Sequence, residues 1–460
     1  MHENPTSLQL SSTEGEFPGE NNLPEEMEAY NWTPQAMKLA VPALIGMLAD
    51  PLLSLVDTAY VGRVGPIELA ALGACTSIFH LAFNAFRATT AATTALVGNA
   101  ATDEEKREIV NTSLSFGVVL GVVVMVTLQL AGAWCLGLMG IARDSPLFKP
   151  GIAYLDIRLF AAPAVLAIVV SEGAFRGYGD TKIPLIASMV ASLINLVLDP
   201  ILMFPLGLGV KGAAAATALS QLAAALTYLH FLRKRGMLPK RSATSVVNRK
   251  EIIKTIMGAN VAMVLKQGSL LLAWAYATAR ATRIGSAHVA AHQVALSCWL
   301  VSALMLDGVA VSAQVLISRC MGQAKKMKSL ISYMFKFAVV QGLVTTLILL
   351  GAAPFLPRVF TSDKAILGHL HSLMPQVAWQ QLLVSMTLVT ESLAVGGNQF
   401  KLLAAGTTIS TIISIWQLRQ ATDVVTVWSR GIVSLFIGRL ITGLIGTFRT
   451  LRQQQQMEIC

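Results

Sequence analysis

Charge is what this chain has least of. Only 13% of its 460 residues are Asp, Glu, Lys or Arg, whereas 54% are hydrophobic and the mean hydropathy is +0.62. A soluble domain carries about 25% charged residues, so half that level cannot clothe a chain of this length, and a soluble catalytic domain is excluded. Cysteine is also scarce. Cys75, Cys135, Cys298, Cys320 and Cys460 lie scattered without paired spacing, which indicates neither a disulfide framework nor a zinc site. No cluster of His, Cys and Asp has ligand spacing, and His80, His288 and His292 read as packed or capping residues rather than metal ligands. A His-Glu-x-x-His motif, a Gly-x-Gly-Asp protease-like pair and a repeated pore loop are all missing, which places an intramembrane enzyme or a channel far behind other functions. The net charge of +10 has no aromatic-interleaved basic patch behind it, so nucleic acid is not expected as a partner. The first 35 residues contain seven Glu and neither Lys nor Arg. They read as a disordered acidic tail without the features of a secretory signal or a transit peptide.

What the chain does have is long apolar runs. Pro42–Arg63, Leu69–Gly98, Ile109–Met139, Gly151–Phe175, Ile183–Leu206 and Val210–Leu232 come first. Ile252–Ala279, Ala287–Ile317, Leu330–Leu356, Ile366–Val395, Leu402–Leu418 and Val424–Phe448 complete the set. A helix crosses about 30 Å of hydrocarbon in about 20 residues, so the expectation is an all-α polytopic membrane protein with twelve spans, the eleventh short and unusually polar. A basic connector, 233–250, separates an N-lobe at 36–232 from a C-lobe at 251–460. Lys106, Arg107, Lys182, Arg319, Lys325, Lys326, Lys328 and Lys401 fall in loops on the connector's side, while the opposite loops hold only scattered cations such as Arg63, Arg143 and Lys211. That asymmetry points the connector toward cytoplasm or stroma.

The first run carries two carboxylates. Asp50, Ser54 and Asp57 are spaced i, i+4 and i+7 on one helical face, with Pro42 and Pro51 loosening the backbone around them. A carboxylate near the bilayer centre costs roughly 2.5–3.5 kcal/mol on insertion scales, so it marks an ion or substrate path or pairs with a buried cation such as Arg158. Asn195 and Asp199, also i and i+4, add a second polar face in the same half.

The halves repeat. Arg63-Val-Gly-Pro-Ile-Glu-Leu-Ala-Ala71 matches Arg283-Ile-Gly-Ser-Ala-His-Val-Ala-Ala291 at a shift of 220, and Glu172–Lys182 matches Glu391–Lys401 at a shift of 219. Six spans per half give both halves the same entry side, so a two-fold axis along the membrane normal and a cleft between two lobes are expected. The same shifts put Ala277 opposite Asp57, Ser414 opposite Asn195 and Leu418 opposite Asp199, which concentrates ion chemistry in the first lobe.

Val-Asp57-Thr-Ala-Tyr-Val-Gly-Arg-Val-Gly, Glu172-Gly-Ala-Phe-Arg-Gly-Tyr-Gly-Asp-Thr-Lys, Asn195-Leu-Val-Leu-Asp199-Pro and Gly212-Ala-Ala-Ala-Ala-Thr217 together resemble the multidrug and toxic compound extrusion family. Ala-Ala-His292-Gln293 with Trp299 and Asp307 is similar to its DinF-like, plant-type branch. The resemblance covers about Met37 to Phe400 and fades beyond Gly406. It implies two six-helix lobes around a central cavity and gradient-driven export. It also implies an ion-coupling cluster at Asp57, Tyr154, Asn195, Asp199 and Thr217 and a bending proline at Pro42. Two carboxylates close together in a desolvated bundle cannot both stay ionised cheaply, so Asp57 and Asp199 are expected to share the coupling ion, H+ or alternatively Na+, with no other cofactor. Asp50 from the first half and Lys266, Gln293 and Asp307 from the second are expected to line the cavity. The favoured function is a proton-driven antiporter of small organic solutes, organic or phenolic carboxylates included. A sodium-coupled exporter and a lipid or lipid-linked flippase are the alternatives. The expected partners are the solute and the lipid bilayer, with the chain a monomer in the plasma membrane or a plastid envelope.

Overall fold

The computed structural model describes residues 31–84, 86–139, 141–239, 248–360 and 363–459, and the unit from Trp32 onward holds every helix among them. In hydrocarbon no water satisfies backbone N–H and C=O groups, so apolar runs of this length close their hydrogen bonds within themselves as helices. The first half holds α1 (Thr33–Val64), α2 (Pro66–Asn84), α3 (Arg87–Asn99), α4 (Asp103–Leu138), α5 (Phe148–Leu159), α6 (Ala162–Gly177), α7 (Lys182–Met203) and α8 (Val210–Lys234). The second half holds α9 (Arg249–Ile284), α10 (Ser286–Arg319), α11 (Ala324–Ala352), the short α12 (Leu356–Phe360), α13 (Lys364–Gly396) and α14 (Phe400–Arg419). It ends with α15 (Val424–Thr426), a π-helical turn (Val427–Ile432) and α16 (Val433–Ile459). Every expected span coincides with one helix or one interrupted pair: α2 with α3, α5 with α6, and α15 with α16 through the π turn. The α5–α6 break bends by 50°, and Pro163 in the first turn of α6 accounts for the restart, since a proline is tolerated there and not further in.

Helix ends are set by polar side chains in the loops. Thr102 Oγ1 accepts the Glu105 amide at the start of α4, Asn248 the Lys250 amide of α9, and Asp363 the Ala365 and Ile366 amides of α13. Each satisfies a first-turn donor that has no intrahelical partner. Helix α1 begins at Thr33, earlier than the expected boundary at 36, because Trp32 is buried and its Nε1 donates to Ser329 Oγ at 3.2 Å. The remainder of the acidic tail, 1–30, lies outside the described residues, as do 240–247 of the connector.

The twelfth-span hairpin is fully formed. Helix α14 runs 20 residues, and its hydroxyls at Thr408, Ser410, Thr411 and Ser414 find hydrogen-bond partners, while Thr407 Oγ1 is buried without one among the described residues. Ser269 Oγ and Thr408 Oγ1 lie 3.0 Å apart, Thr411 donates to the Ser269 carbonyl, and Ser414 donates to the Gly431 carbonyl at 2.7 Å.

The internal repeat is a repeat in space. Gly65 and Gly285, which join α1 to α2 and α9 to α10, share extended backbone angles (φ/ψ 169/160 and 162/162). Gly177 packs on Val97 and the Thr94 carbonyl, and Gly396 packs on Ile317 and the Gln314 carbonyl; all three pairs are about 220 residues apart. After α6 and α13 the chain turns through a left-handed residue, Gly179 (φ +77) and Asn398 (φ +61), which differ in number by 219. Asn tolerates that region better than other residues with a side chain, so the second turn keeps the geometry without glycine.

Candidate functional site

At the end of the first lobe away from the connector, Val61, Leu72, Cys75, Tyr154, Leu155, Met203, Val210, Ala213 and Ala214 form a core drawn from the first half alone. Buried polar residues are embedded beside it. Asn195 and Asp199 occupy successive turns of α7 at 0% and 1% exposure, just before Pro200 interrupts the helical hydrogen bonding. Asn195 Nδ2 donates to Thr217 Oγ1 on α8 at 3.4 Å, and Thr217 Oγ1 in turn donates to the Ala213 carbonyl at 2.9 Å. Asn195 Oδ1 finds no donor among the described residues, which leaves a buried acceptor one turn from a buried carboxylate. Tyr154, buried on α5, accepts at its hydroxyl from Arg158 Nη1 at 2.7 Å, and the same guanidinium lies 4.3 Å over the Phe79 ring. Structure thus gathers Tyr154, Asn195, Asp199 and Thr217 into one end of one lobe. Asp57 and Asp50 stand on α1, and their side chains lie outside what is described. Pro42 is half-buried within α1, which runs through it as continuous helix.

The corresponding place in the second lobe is filled with hydrocarbon. Shifting by 219 or 220 carries Asp57, Tyr154, Asp199 and Thr217 to Ala277, Leu373, Leu418 and Phe436, and all four belong to one core with Trp299, Val427, Trp428 and Ile432. Ser414, opposite Asn195, points its hydroxyl at the π turn. Trp299 Nε1 is buried here without an acceptor among the described residues, whereas His292 is bonded on both sides. Trp428 Nε1, which can only donate, reaches His292 Nδ1 at 3.1 Å, so the imidazole is neutral with its proton on Nε2. That proton goes to Thr278 Oγ1 at 3.0 Å, and Thr278 donates to the Trp274 carbonyl at 3.1 Å. His292 is packed here, with both ring nitrogens engaged.

Lys266, expected at the cavity, is the outer member of a buried ion triad. Its Nζ lies 2.7 Å from Glu391 Oε2, while Arg439 donates Nε to Oε1 and Nη2 to Oε2, both at 2.9 Å. Two cations share one carboxylate, joining α9, α13 and α16. Gln293 is exposed on α10. Asp307 is half-buried on α10 beside Gly308, where that helix crosses α1 closely enough for the glycine to face the Ala40 carbonyl and Leu44.

The two lobes meet at the connector side. A buried pair of hydrogen bonds links α3 to α9: Thr89 Oγ1 to Asn260 Oδ1 at 3.1 Å and Asn260 Nδ2 to Thr89 Oγ1 at 2.9 Å. Its counterpart 220 residues away is the apolar contact region of Ala40 on α1 and Val309 on α10. Cores at this end mix both halves: Ala92, Val97 and Phe175 with Ile256, Ala259 and Leu403, and Trp32 and Leu39 with Ala313 and Met327. At the far end each core belongs to a single half. Among the described residues, the cores that join the two lobes therefore lie toward the connector. The Asn260–Thr89 seam was not anticipated; the available signal was an amide on the otherwise apolar face Ile252, Ile256, Ala259 and Ala262 of α9.

This geometry can be compared with known proteins. The MatE family model matches residues 42–201 and 269–416. The chain is 31% identical to Protein DETOXIFICATION 44, chloroplastic, of Arabidopsis thaliana over 83% of its own length and 75% of that protein's. It is 30% identical to Protein DETOXIFICATION 43 of the same plant over 89% of each. A structure described as the outward-facing conformation of a multidrug resistance MATE family transporter superposes with TM-score 0.75 at 22% identity, over 92% of this chain and 96% of that one. A crystal structure of MATE in the bent conformation gives TM-score 0.79 at 21% identity over 93% and 97%. With the family model covering more than half the chain and the twelve-helix, two-lobe fold in place, this integral multi-pass membrane protein belongs to the multidrug and toxic compound extrusion (MATE) family of efflux transporters.

Proposed function

We propose that the protein is a proton-driven antiporter that exports small organic solutes and that its coupling ion is held in the first lobe by Asp57 and Asp199 with Asn195, Tyr154 and Thr217. One observation supports this reading above the others: a carboxylate at 1% exposure stands one turn from an amide oxygen that has no donor among the described residues. A protonated carboxyl is a donor of the kind that oxygen lacks, and a deprotonated one is costly there. Loading a proton would draw Asp199, Asn195 and Thr217 together against α1, and Pro42 is the point at which α1 can bend in response, because its ring removes one helical hydrogen bond. Releasing the proton would restore repulsion between the carboxylates. Solute would then bind when the cluster is charged and leave when it is neutral.

The test is flux in proteoliposomes under one imposed gradient at a time. A pH gradient alone should drive solute export by the wild-type protein, and Asp57→Asn and Asp199→Asn should bind solute and remain folded without responding to the gradient. Strict dependence on a sodium gradient would overturn the proton assignment. Wild-type coupling in both folded variants would overturn the site. Relatives named chloroplastic favour a plastid envelope, which fractionation of tagged protein would check.

A further inference from the structure

Two surface grooves on the molecule are copies of one another. The first is lined by Leu226, Leu229, His230, Arg233 and Lys234 at the end of α8, the second by Ile441, Leu444, Ile445, Phe448, Arg449 and Arg452 on α16. A shift of 219 carries Leu226 to Ile445, Leu229 to Phe448, His230 to Arg449 and Arg233 to Arg452. Both helices are the last of their lobe. Each presents an exposed apolar run, Leu222 and Leu226 in one and Ile441, Ile445 and Phe448 in the other, that ends in exposed cations on the connector side. The neighbouring cation Arg235 is already paired with Asp180, whereas no ion pair among the described residues takes Arg233, Lys234, Arg449 or Arg452.

We propose that these grooves are two pseudo-symmetric sites for an anionic phospholipid of the connector-side leaflet. The acyl chain lies along the apolar run and the phosphate sits between the two cations above it. An apolar helix face in a bilayer is covered by lipid in any case; what the paired cations add is a preference for a negative headgroup at a fixed depth. Because the register of the grooves survives where most of the sequence between the halves has diverged, the two sites lie at equivalent depth on opposite lobes. Together they fix the height and tilt of each lobe against the leaflet that carries most of the loop cations. The inference is independent of where the coupling ion binds.

The experiment uses the full chain in nanodiscs of phosphatidylcholine with graded phosphatidylglycerol, followed by native mass spectrometry of the lipid retained. Wild type should keep two phosphatidylglycerol molecules in preference to phosphatidylcholine. Arg233→Gln with Lys234→Gln should remove one, Arg449→Gln with Arg452→Gln the other, and the four together both. At about fivefold per charge, each pair should weaken its own site roughly 30-fold. All these positions are exposed, and melting of the variants in detergent checks that the fold is kept. Lys325→Gln with Lys328→Gln, which removes two exposed connector-side charges away from either groove, should leave both lipids bound. An equal loss in that control would reduce the effect to diffuse attraction and overturn the proposal, as would retention of lipid without headgroup preference.

Discussion

The same helical scaffold carries opposite chemistry in its two lobes. At the end remote from the connector the first lobe buries Tyr154, Asn195 and Asp199, and the second puts Leu373, Ser414 and Leu418 at the corresponding positions inside an aromatic core. Nearer the middle of the membrane the relation reverses. The second lobe has the Lys266–Glu391–Arg439 triad, while the first has Ser220 opposite Arg439, Met47 or Gly46 opposite Lys266, and Glu172 paired with Arg176 in its own helix. One lobe therefore buries polar groups at its end remote from the connector, and the other uses its charges to tie three helices together. A buried carboxylate with two cations is fixed by its partners, whereas on the proposed reading Asp199 changes protonation beside an amide oxygen that has room for a donor.

Exchanging the chemistry is the hardest test of that comparison. Asp199→Asn should abolish gradient-driven flux while leaving the melting temperature near wild type. Leu418→Asp should do the reverse damage, placing a carboxylate among apolar and aromatic side chains whose nearest cations are already committed, Arg280 to the Ala421 carbonyl and Arg439 to Glu391, and costing on the order of 3–5 kcal/mol, seen as loss of folded protein. Coupling lost in a stable Asp199→Asn and stability lost in Leu418→Asp would sharpen the comparison. A well-folded Leu418→Asp protein would break it.

Next in size is the triad. Glu391→Gln leaves Lys266 and Arg439 buried without an anion and should destabilise by about 3–5 kcal/mol. Lys266→Gln keeps the bidentate Arg439–Glu391 pair and should cost less. If thermal melting showed the lysine variant to be the worse of the two, the triad would not be held as described.

A smaller effect is expected at the seam between the lobes. Asn260→Ala leaves Thr89 with a lost partner across the lobes, about 1–3 kcal/mol for an unmet buried group. That favours opening toward the connector. A single-cysteine reporter at Ala92, buried in the shared core, should then react faster with a water-soluble maleimide added from that side. Val309→Ala, on the apolar counterpart of the seam, should change the rate less, because nothing polar is left unmet.

Much of this was legible in the chain alone. Run length and the scarcity of charge fix helices and their number, since a bilayer offers few alternatives. Two short motifs at shifts of 219 and 220 were enough to reveal the repeat that Gly177 and Gly396 display in space. Asn195 and Asp199 announced themselves as polar residues one turn apart in an apolar run. The triad was only half visible. Lys266 stood out as a membrane charge, but Glu391 lay in a repeat motif whose first-lobe copy, Glu172, pairs within its own helix, and sequence does not say which of two equivalent glutamates turns inward. The π turn was hidden because it is a backbone adjustment within an uninterrupted apolar run. The seam between the lobes was hidden because it depends on which faces of α3 and α9 meet, a tertiary choice no local pattern encodes.

The smallest expected effect concerns His292. The imidazole accepts from Trp428 at Nδ1 and stands 3.0 Å from Thr278 at Nε2, so both ring nitrogens are engaged in the neutral state, and a proton added at Nδ1 would face the Trp428 N–H. A histidine held this way supports packing. Trp428→Phe keeps the ring stack but removes the donor, which leaves Nδ1 buried without a partner at about 1–3 kcal/mol. Thr278→Val removes the Nε2 acceptor at similar volume. Each should lower the melting temperature modestly. Because the two act on one imidazole, their combined loss should fall short of the sum, as a double-mutant cycle would read. Neither should move the pH dependence of flux. A shifted pH profile in the Trp428→Phe protein would mean that the second lobe also handles protons, and the division of labour between the lobes would have to be abandoned.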